Sequence, residues 1–168
     1  MTMPPYFLAL AFLAAAPNQD GAPPPHAVPG EDAVDPYRVD PANAGARPFS
    51  GPSLAAAFHG QAGIRRIVDG LVARAYADPV IGEIFDRHDR VRLSRTLFEQ
   101  FCYLLNAGCT YSGRDMKAAH KDLGVEHADM NRLVELLQDA MAEEGVSFAA
   151  QNKLLSKLAP MRGDVVER

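Results

Sequence analysis

His120 is the candidate metal ligand of this sequence, because a neutral imidazole can bind a metal through one ring nitrogen. It follows Met116 by four residues within a short, weakly helical segment, Asp115 to Lys121. In a helix, that spacing places both side chains on one face, one turn apart. A lone histidine on such a face is usually an ordinary core or surface residue, so a ligand role has to be argued from its surroundings.

The two cysteines, Cys102 and Cys109, have neither the spacing nor the second pair of a zinc site. Seven residues along a continuous helix would separate their Cα atoms by about 10 Å, beyond the roughly 7 Å limit for a disulfide. They can form a disulfide only if the helix ends between them. We therefore expect buried free thiols, with a disulfide as the alternative.

The elements that must position these residues have the periodicity of α-helices. Four longer helices are predicted from apolar faces at Ile64 to Ala75, Leu93 to Leu105, Met130 to Met141 and Phe148 to Leu158. The first is expected to end at Asp78, because a residue before proline is pushed out of the helical conformation. No stretch alternates with a period of two, and no glycine-rich loop follows a strand. The sequence therefore predicts an all-α protein with a weak segment between the second pair of helices.

The N-terminal part of the chain has a different composition. All but Pro79 and Pro160 of the 13 prolines lie at or before Pro52, a density that a packed helical core does not tolerate. Residues 18–52 are rich in Pro, Ala, Gly and Asp, and they cannot bury enough apolar area to offset chain entropy. They are predicted to form a disordered or extended linker, followed by a folded domain from residue 53 to residue 168.

Residues 1–17 suggest a secretory signal peptide or an N-terminal tether. The apolar run from Tyr6 to Ala16 is shorter than the roughly 20 residues of a membrane span, but it suits the core of a signal. No Lys or Arg precedes it, and Pro17 is a poor residue after a cleavage site, so an uncleaved tether or a mis-assigned start codon stays open. A signal implies a periplasmic or otherwise exported protein, and a mis-assigned start a cytoplasmic one. Membrane contact is expected only if the segment is uncleaved.

Charge and composition narrow the class of partner. The net charge is −4, and 48% hydrophobic with 23% charged residues is the balance of a globular domain. The basic residues are mixed with acidic ones, whereas nucleic-acid binding needs clustered Lys and Arg. A nucleic-acid partner is therefore not expected.

Residues from about 54 to 166 resemble the group I truncated haemoglobins, a family that arranges a two-over-two sandwich of helices around haem. The most specific stretch, YSGRDMKAAHKDLGV at residues 111–125, is similar to the family's Tyr-Thr-Gly turn and the segment that carries its iron-binding histidine. His120 falls on that histidine. YADPVIGEIF leads to the family's haem-packing phenylalanine at Phe85, and the spacing from Phe85 to His120 matches the family without a gap. QAGIRRIVD and LAPMRGDVV are supporting matches.

The resemblance implies that His120 is the protein ligand to the iron of haem b, with apolar side chains on the opposite face. The other residues implied at the haem are Val72, Phe85, Leu93, Leu97, Phe101, Met116, Leu133 and Leu137. Lys117 or Arg92 is expected to reach a haem propionate, with a solvated charge as the alternative for each.

Two departures from the family pattern concern the side where a gas would bind. A tyrosine that donates to oxygen is replaced by Val72, and a frequent glutamine is replaced by Leu97. No donor is therefore expected there unless His88 or Tyr103 rearranges, and position argues against both. The family's glycine pairs at two corners are also degraded, to His59-Gly60 and Asn106-Ala107-Gly108, which leaves the corner geometry open.

The expected function is reversible binding of oxygen, nitric oxide or carbon monoxide, including oxygen transport. The alternative is a haem enzyme for nitric oxide dioxygenation or peroxide turnover, with a reductase as partner. Peroxide chemistry benefits from a distal acid or base, which the sequence does not display, and no flavin or nicotinamide domain is evident. A helical interaction domain that has lost its haem is a third interpretation, and the presence of His120 in a family-like segment counts against it.

Overall fold

The computed structural model describes residues 28–167; the predicted signal peptide lies outside the described residues. Regular secondary structure in this range is helical throughout, which confirms the all-α class. The helices are α1 (Ser53–Ala57), α2 (Gly60–Ala77), α3 (Gly82–Phe85), α4 (Arg90–Leu104), α5 (Met116–His120), α6 (His127–Glu143), α7 (Phe148–Leu158) and α8 (Arg162–Val165), with 3-10 helices at Pro41–Ala44 and Ala159–Met161. None of the helices between residues 28 and 167 is long and apolar enough to cross a membrane.

The central helix is α2, which packs against both α4 and α6. Its buried face holds the predicted apolar positions, Ile64, Ile67, Val68, Leu71, Val72 and Ala75. Asp78 ends the helix in an extended conformation, as the following proline predicts. The Asp78 carboxylate also accepts a hydrogen bond from Arg132 of α6 at 2.9 Å, so the end of α2 is tied to its neighbour.

The two corners where the family's glycine pairs are degraded have a left-handed backbone. His59 has φ 56° and Gly60 has φ 65°, while Asn106 has φ 57° and Gly108 has φ 86°. Asparagine tolerates this conformation better than most residues. The His59 ring instead gains a contact, since its Nδ1 lies 2.9 Å from a carboxylate oxygen of Glu144. Each corner therefore places a non-glycine residue in the left-handed region.

The helix α4 ends at Leu104, between the two cysteines. The chain then turns back, which brings the Cα atoms of Cys102 and Cys109 to 5.5 Å, and the two form a disulfide. The expectation of free thiols is wrong, because the rise of a continuous helix does not apply over the whole interval. The alternative, a helix that ends between the cysteines, is the arrangement observed.

Residues 28–52 pack on the helices instead of forming a separate linker. Their backbone is largely extended, as their proline content predicts, but Ala44 is fully buried. The backbone N–H of Phe49 donates to the carbonyl of Leu104 at 2.8 Å. This corrects the expected linker over the described part of 18–52, because individual side chains bury between the prolines although the average composition is poor in apolar residues.

The helix α7 begins where it is predicted to, with the Ser147 side chain accepting from a backbone N–H as N-cap. Its buried positions are Ala150, Gln151 and Leu154. Phe148, the first residue of the predicted apolar face, is 68% exposed, so the expectation that this face buries it is wrong.

Reduction of the disulfide should destabilise the fold. A bridge that closes a short loop restricts the unfolded chain, which corresponds to about 2 kcal/mol of stability. We expect a reducing agent to lower the free energy of unfolding of the natural chain by this amount in urea titrations. The double variant Cys102→Ala/Cys109→Ala should be insensitive to the reducing agent. Equal insensitivity of the natural chain would contradict the bridge.

The stability of the corner between α1 and α2 should depend on pH through Glu144. Hydrogen bonds from Arg66 and then His59 lower the pKa of Glu144 to about 2, from an ordinary value of 4.5. A carboxyl with a lowered folded-state pKa stabilises the fold above its unfolded pKa, and that contribution is lost as the pH falls toward the folded value. Glu144→Gln should therefore flatten the decline in unfolding free energy between about pH 5 and pH 3.

The matched control is Asp139→Asn, which removes an exposed carboxylate from α6, the helix that Glu144 follows directly. This variant should retain the natural slope of unfolding free energy against pH. If the unfolding free energy of both variants falls with decreasing pH as steeply as that of the natural chain, Glu144 is not the source of this pH dependence.

Candidate functional site

The short helix α5 is held at both ends by other parts of the chain. The Asp115 side chain caps its N-terminus by accepting from the backbone N–H of Ala118 at 2.8 Å. After its C-terminus, the Glu167 carboxylate accepts from the backbone N–H groups of Asp122 and Gly124 at 2.6 and 2.7 Å. A five-residue helix is not stable alone, so these contacts and the packing of α8 against α5 position it.

The His120 ring is oriented by a backbone carbonyl. Its Nδ1 lies 2.7 Å from the carbonyl oxygen of Met116, one turn earlier. A carbonyl oxygen only accepts, so in the neutral imidazole Nδ1 carries the proton and Nε2 keeps its lone pair. Metal-ligating histidines are commonly held in this way. The sequence could not name this partner, because it is a backbone atom.

A cavity of about 510 Å³ is lined by residues of α2, α4, α5 and α6, and its volume is typical of ligand sites. The predicted site residues that line it are Val72, Phe85, Leu93, Leu97, Phe101, Met116, His120, Leu133 and Leu137. Leu93, Leu97 and Leu133 pack against the core and line this space, and all three are only partly buried. The cavity therefore brings His120 and the predicted apolar wall together.

The two predicted propionate residues differ in position. Lys117 is exposed and is not among the residues that line the cavity. Arg92 does line it, but its Nε is 3.2 Å from a carboxylate oxygen of Glu31. Sequence reasoning missed two further cations in the lining, Arg114 and Lys121, although both flank α5 in the family-like segment.

Thr96, Gln100 and Tyr111 are polar residues of the cavity lining whose side chains donate to backbone carbonyls. The Thr96 hydroxyl donates to Arg92 at 2.9 Å, within its own helix. The Gln100 amide donates to Ala44 at 3.0 Å, and the Tyr111 hydroxyl donates to Arg114 at 2.9 Å. Burial raises the pKa of Tyr111 well above 10, which keeps its hydroxyl protonated. These donors are therefore engaged elsewhere.

The two residues considered as rearranging donors differ in their relation to the cavity. His88 lines the cavity but is exposed on the segment between α3 and α4, and its backbone carbonyl accepts from the Tyr76 hydroxyl at 2.9 Å. Tyr103 is not among the lining residues of the described chain. The wall formed by Val72, Leu93 and Leu97 is apolar.

This combination fits haem. One imidazole presents a free Nε2, a large apolar space adjoins it, and cationic side chains lie in the lining. Haem iron in globins is held by one such proximal histidine. His120 would be the ligand, with Met116 and Leu133 among the apolar contacts.

Comparison with known proteins agrees with the fold. A family model described as bacterial-like globin matches residues 54–167. The chain is 31% identical to a group 1 truncated haemoglobin of Chlamydomonas moewusii over 97 residues, which are 56% of this chain and 57% of the relative. It is 25% identical to the group 1 truncated haemoglobin GlbN of Nostoc commune over 109 residues, which are 65% of this chain and 92% of the relative.

Solved structures with the same fold include the truncated haemoglobin of Tetrahymena pyriformis in its Fe(III) form. It shares 20% identity at a TM-score of 0.65, and the match covers 68% of this chain and 98% of that one. The 2/2 haemoglobin of Synechococcus sp. PCC 7002, with covalently attached haem, shares 22% identity at a TM-score of 0.63 with the same coverage. These likenesses show the fold. The chain therefore belongs to the bacterial-like globins, with the group I truncated haemoglobins as its relatives.

The Asp115 cap can be tested apart from any cofactor. Asp115→Ala removes the side-chain acceptor and should destabilise α5 by about 1 kcal/mol, whereas Asp115→Asn should retain most of the capping. Amide hydrogen exchange at Ala118 and Ala119 should accelerate in the alanine variant only. Equal exchange in both variants and the natural chain would show that the cap does not hold α5.

Proposed function

We propose that this protein binds a diatomic gas reversibly at haem b held by His120. The observation that carries the proposal is the 2.7 Å hydrogen bond from His120 Nδ1 to the Met116 carbonyl, beside an apolar cavity of about 510 Å³. Ferrous haem supplies an iron with an open position for oxygen, nitric oxide or carbon monoxide. The chain itself holds the His120 ring in place through Nδ1, and its apolar wall excludes water from the opposite face of the haem.

The apolar wall determines which gases are held well. Val72 and Leu97 carry no hydrogen-bond donor, and the Thr96 hydroxyl next to Leu97 donates within its own helix. A charge-assisted hydrogen bond to oxygen is worth about 1.5 to 3 kcal/mol, and 1.4 kcal/mol is about a factor of ten in affinity. Without that bond, oxygen is held roughly ten- to a hundredfold less tightly, and carbon monoxide and nitric oxide are affected less. Tight oxygen storage is therefore not expected.

The ligand role of His120 is tested by His120→Ala. Protein supplied with hemin should show the intense haem absorption band at the blue edge of the visible spectrum, and the variant should lose or displace it. His127→Ala is the matched control, because His127 is exposed and its ring accepts from Arg162 at 3.0 Å outside the cavity lining. A natural chain that stays colourless, or an unchanged band in His120→Ala, would contradict the proposal.

The absence of a donor is tested by restoring one at position 72. Val72 is 3% exposed and lines the cavity. Val72→Tyr should slow oxygen dissociation by about ten- to a hundredfold, with a smaller effect on carbon monoxide. Val72→Phe supplies the ring without the hydroxyl and should leave oxygen dissociation fast. Equal oxygen dissociation rates in the two variants, measured by stopped flow, would argue against an apolar wall as the determinant.

We further propose that the protein works in an oxidising compartment, outside the cytoplasm. The Cys102–Cys109 disulfide supports this location, since such bridges persist mainly in oxidising environments. The apolar run from Tyr6 to Ala16, which suits a signal peptide, supports it from the sequence. Cell fractionation combined with thiol alkylation should find the protein exported and resistant to alkylation until it is reduced. Free thiols in a cytoplasmic fraction would oppose the assignment.

A further inference from the structure

Residues 31–40, called the strap below, lie outside the part of the chain that the family model matches. The strap has no regular secondary structure until the 3-10 helix begins at Pro41. Its burial repeats every third residue: Glu31, Val34, Tyr37 and Asp40 are partly buried, and the residues between them are exposed. A repeat of three is that of an extended, polyproline-type chain lying with one edge on a surface. One edge of the strap therefore faces the helical domain.

The first end of the strap is anchored to α4 by an ion pair. The Glu31 side chain is only 6% exposed. One carboxylate oxygen accepts from Arg92 Nε at 3.2 Å and Arg95 Nη2 at 3.0 Å, and the other accepts from Arg95 Nε. The hydrogen bonds from Arg95 are the main cause that lowers the pKa of Glu31, so this carboxylate stays charged. Paired contacts between arginine and carboxylate are among the stronger hydrogen bonds in proteins.

The middle of the strap is attached to the loop that precedes α5. The Tyr37 hydroxyl donates to the Ser112 carbonyl at 2.9 Å. The Arg114 guanidinium lies 5.2 Å from the centre of the Tyr37 ring and donates to the Asp35 carbonyl at 3.2 Å. The strap therefore joins α4, which carries the apolar wall, to the segment that carries the metal-ligating histidine.

The strap also contributes to the cavity itself, because Val34 and Tyr37 are among its lining residues. We infer that Val34 and Tyr37 belong to the haem-binding site, and that the strap retains haem in the cavity. Haem leaves readily only after the contacts of Glu31 with α4 have opened. This inference rests on the proposed function, since it assigns these residues to the same haem site.

The strap is tested by measuring haem loss from the full chain. Hemin-loaded protein is mixed with an excess of a haem-scavenging apoglobin, and the transfer rate is followed by absorbance. Glu31→Gln removes the charge that holds Arg92 and Arg95, and haem loss should accelerate by about tenfold or more. Asp35→Asn changes the charge of the same strap at an exposed side chain, and its rate should stay within about twofold of the natural chain, given the small worth of exposed charges.

A second pair of variants leaves the ion pair intact. Val34→Ala trims a side chain that lines the cavity and should also accelerate haem loss. Val39→Ala trims a strap valine that is 47% exposed and outside the lining, so its rate should be unchanged. Equal haem-loss rates for the two variants of each pair would contradict the inference that the strap retains haem. That result would not contradict haem binding by His120. A natural chain that takes up no haem would overturn the proposed function and the strap together.

Discussion

The hydrogen bond between His120 Nδ1 and the Met116 carbonyl is the contact on which the site depends. It spans one helical turn, but the helix that contains it has only five residues and cannot hold its shape alone. Distant parts of the chain stabilise it: Gln100 of α4 contacts the Met116 sulfur at 3.3 Å, and Glu167 accepts from the backbone just after α5. The orientation of one imidazole is therefore a property of the whole domain.

The cavity imposes a second constraint, because it leaves apolar side chains incompletely buried. Leu93 and Leu97 on α4 and Leu133 on α6 pack against the core but also line the cavity, and they are only partly buried. Burial of apolar surface contributes about 25 cal/mol per Å², so a flat apolar ligand in this space would supply the missing burial. Binding to the folded state alone would also raise stability by mass action. The packing of the helical sandwich and the filling of the haem site are therefore linked.

Much of this arrangement was predictable from the sequence, since it follows from local patterns. The apolar face of α2, its end before Pro79 and the position of His120 in a family-like segment all depend on residue type and short spacing. The end of α4 lies within one residue of the predicted apolar face, but the disulfide also depended on the turn after it, which brings Cys109 back to Cys102 and which periodicity does not fix. The exposure of Phe148 depended on what packs near the first turn of α7, which is a tertiary property.

The strap is where the structure differs most from the sequence prediction, and the difference has a physical cause. Average composition describes residues 18–52 as unable to form a core, whereas Glu31 and Tyr37 bury against surfaces that the helices provide. Contacts with residues more than sixty positions away, such as that between Glu31 and Arg95, leave no local signal in the sequence. The carbonyl that orients His120 was likewise out of reach, because every residue has one.

The central claim, that His120 holds the iron of a bound haem through Nε2, is tested most directly by resonance Raman spectroscopy of the ferrous protein. Material labelled with ¹⁵N in histidine alone is compared with unlabelled material. An iron–nitrogen stretching band that shifts on labelling, and that is absent from His120→Ala, is the predicted result. A band that does not shift, or one that persists in His120→Ala, would contradict the claim.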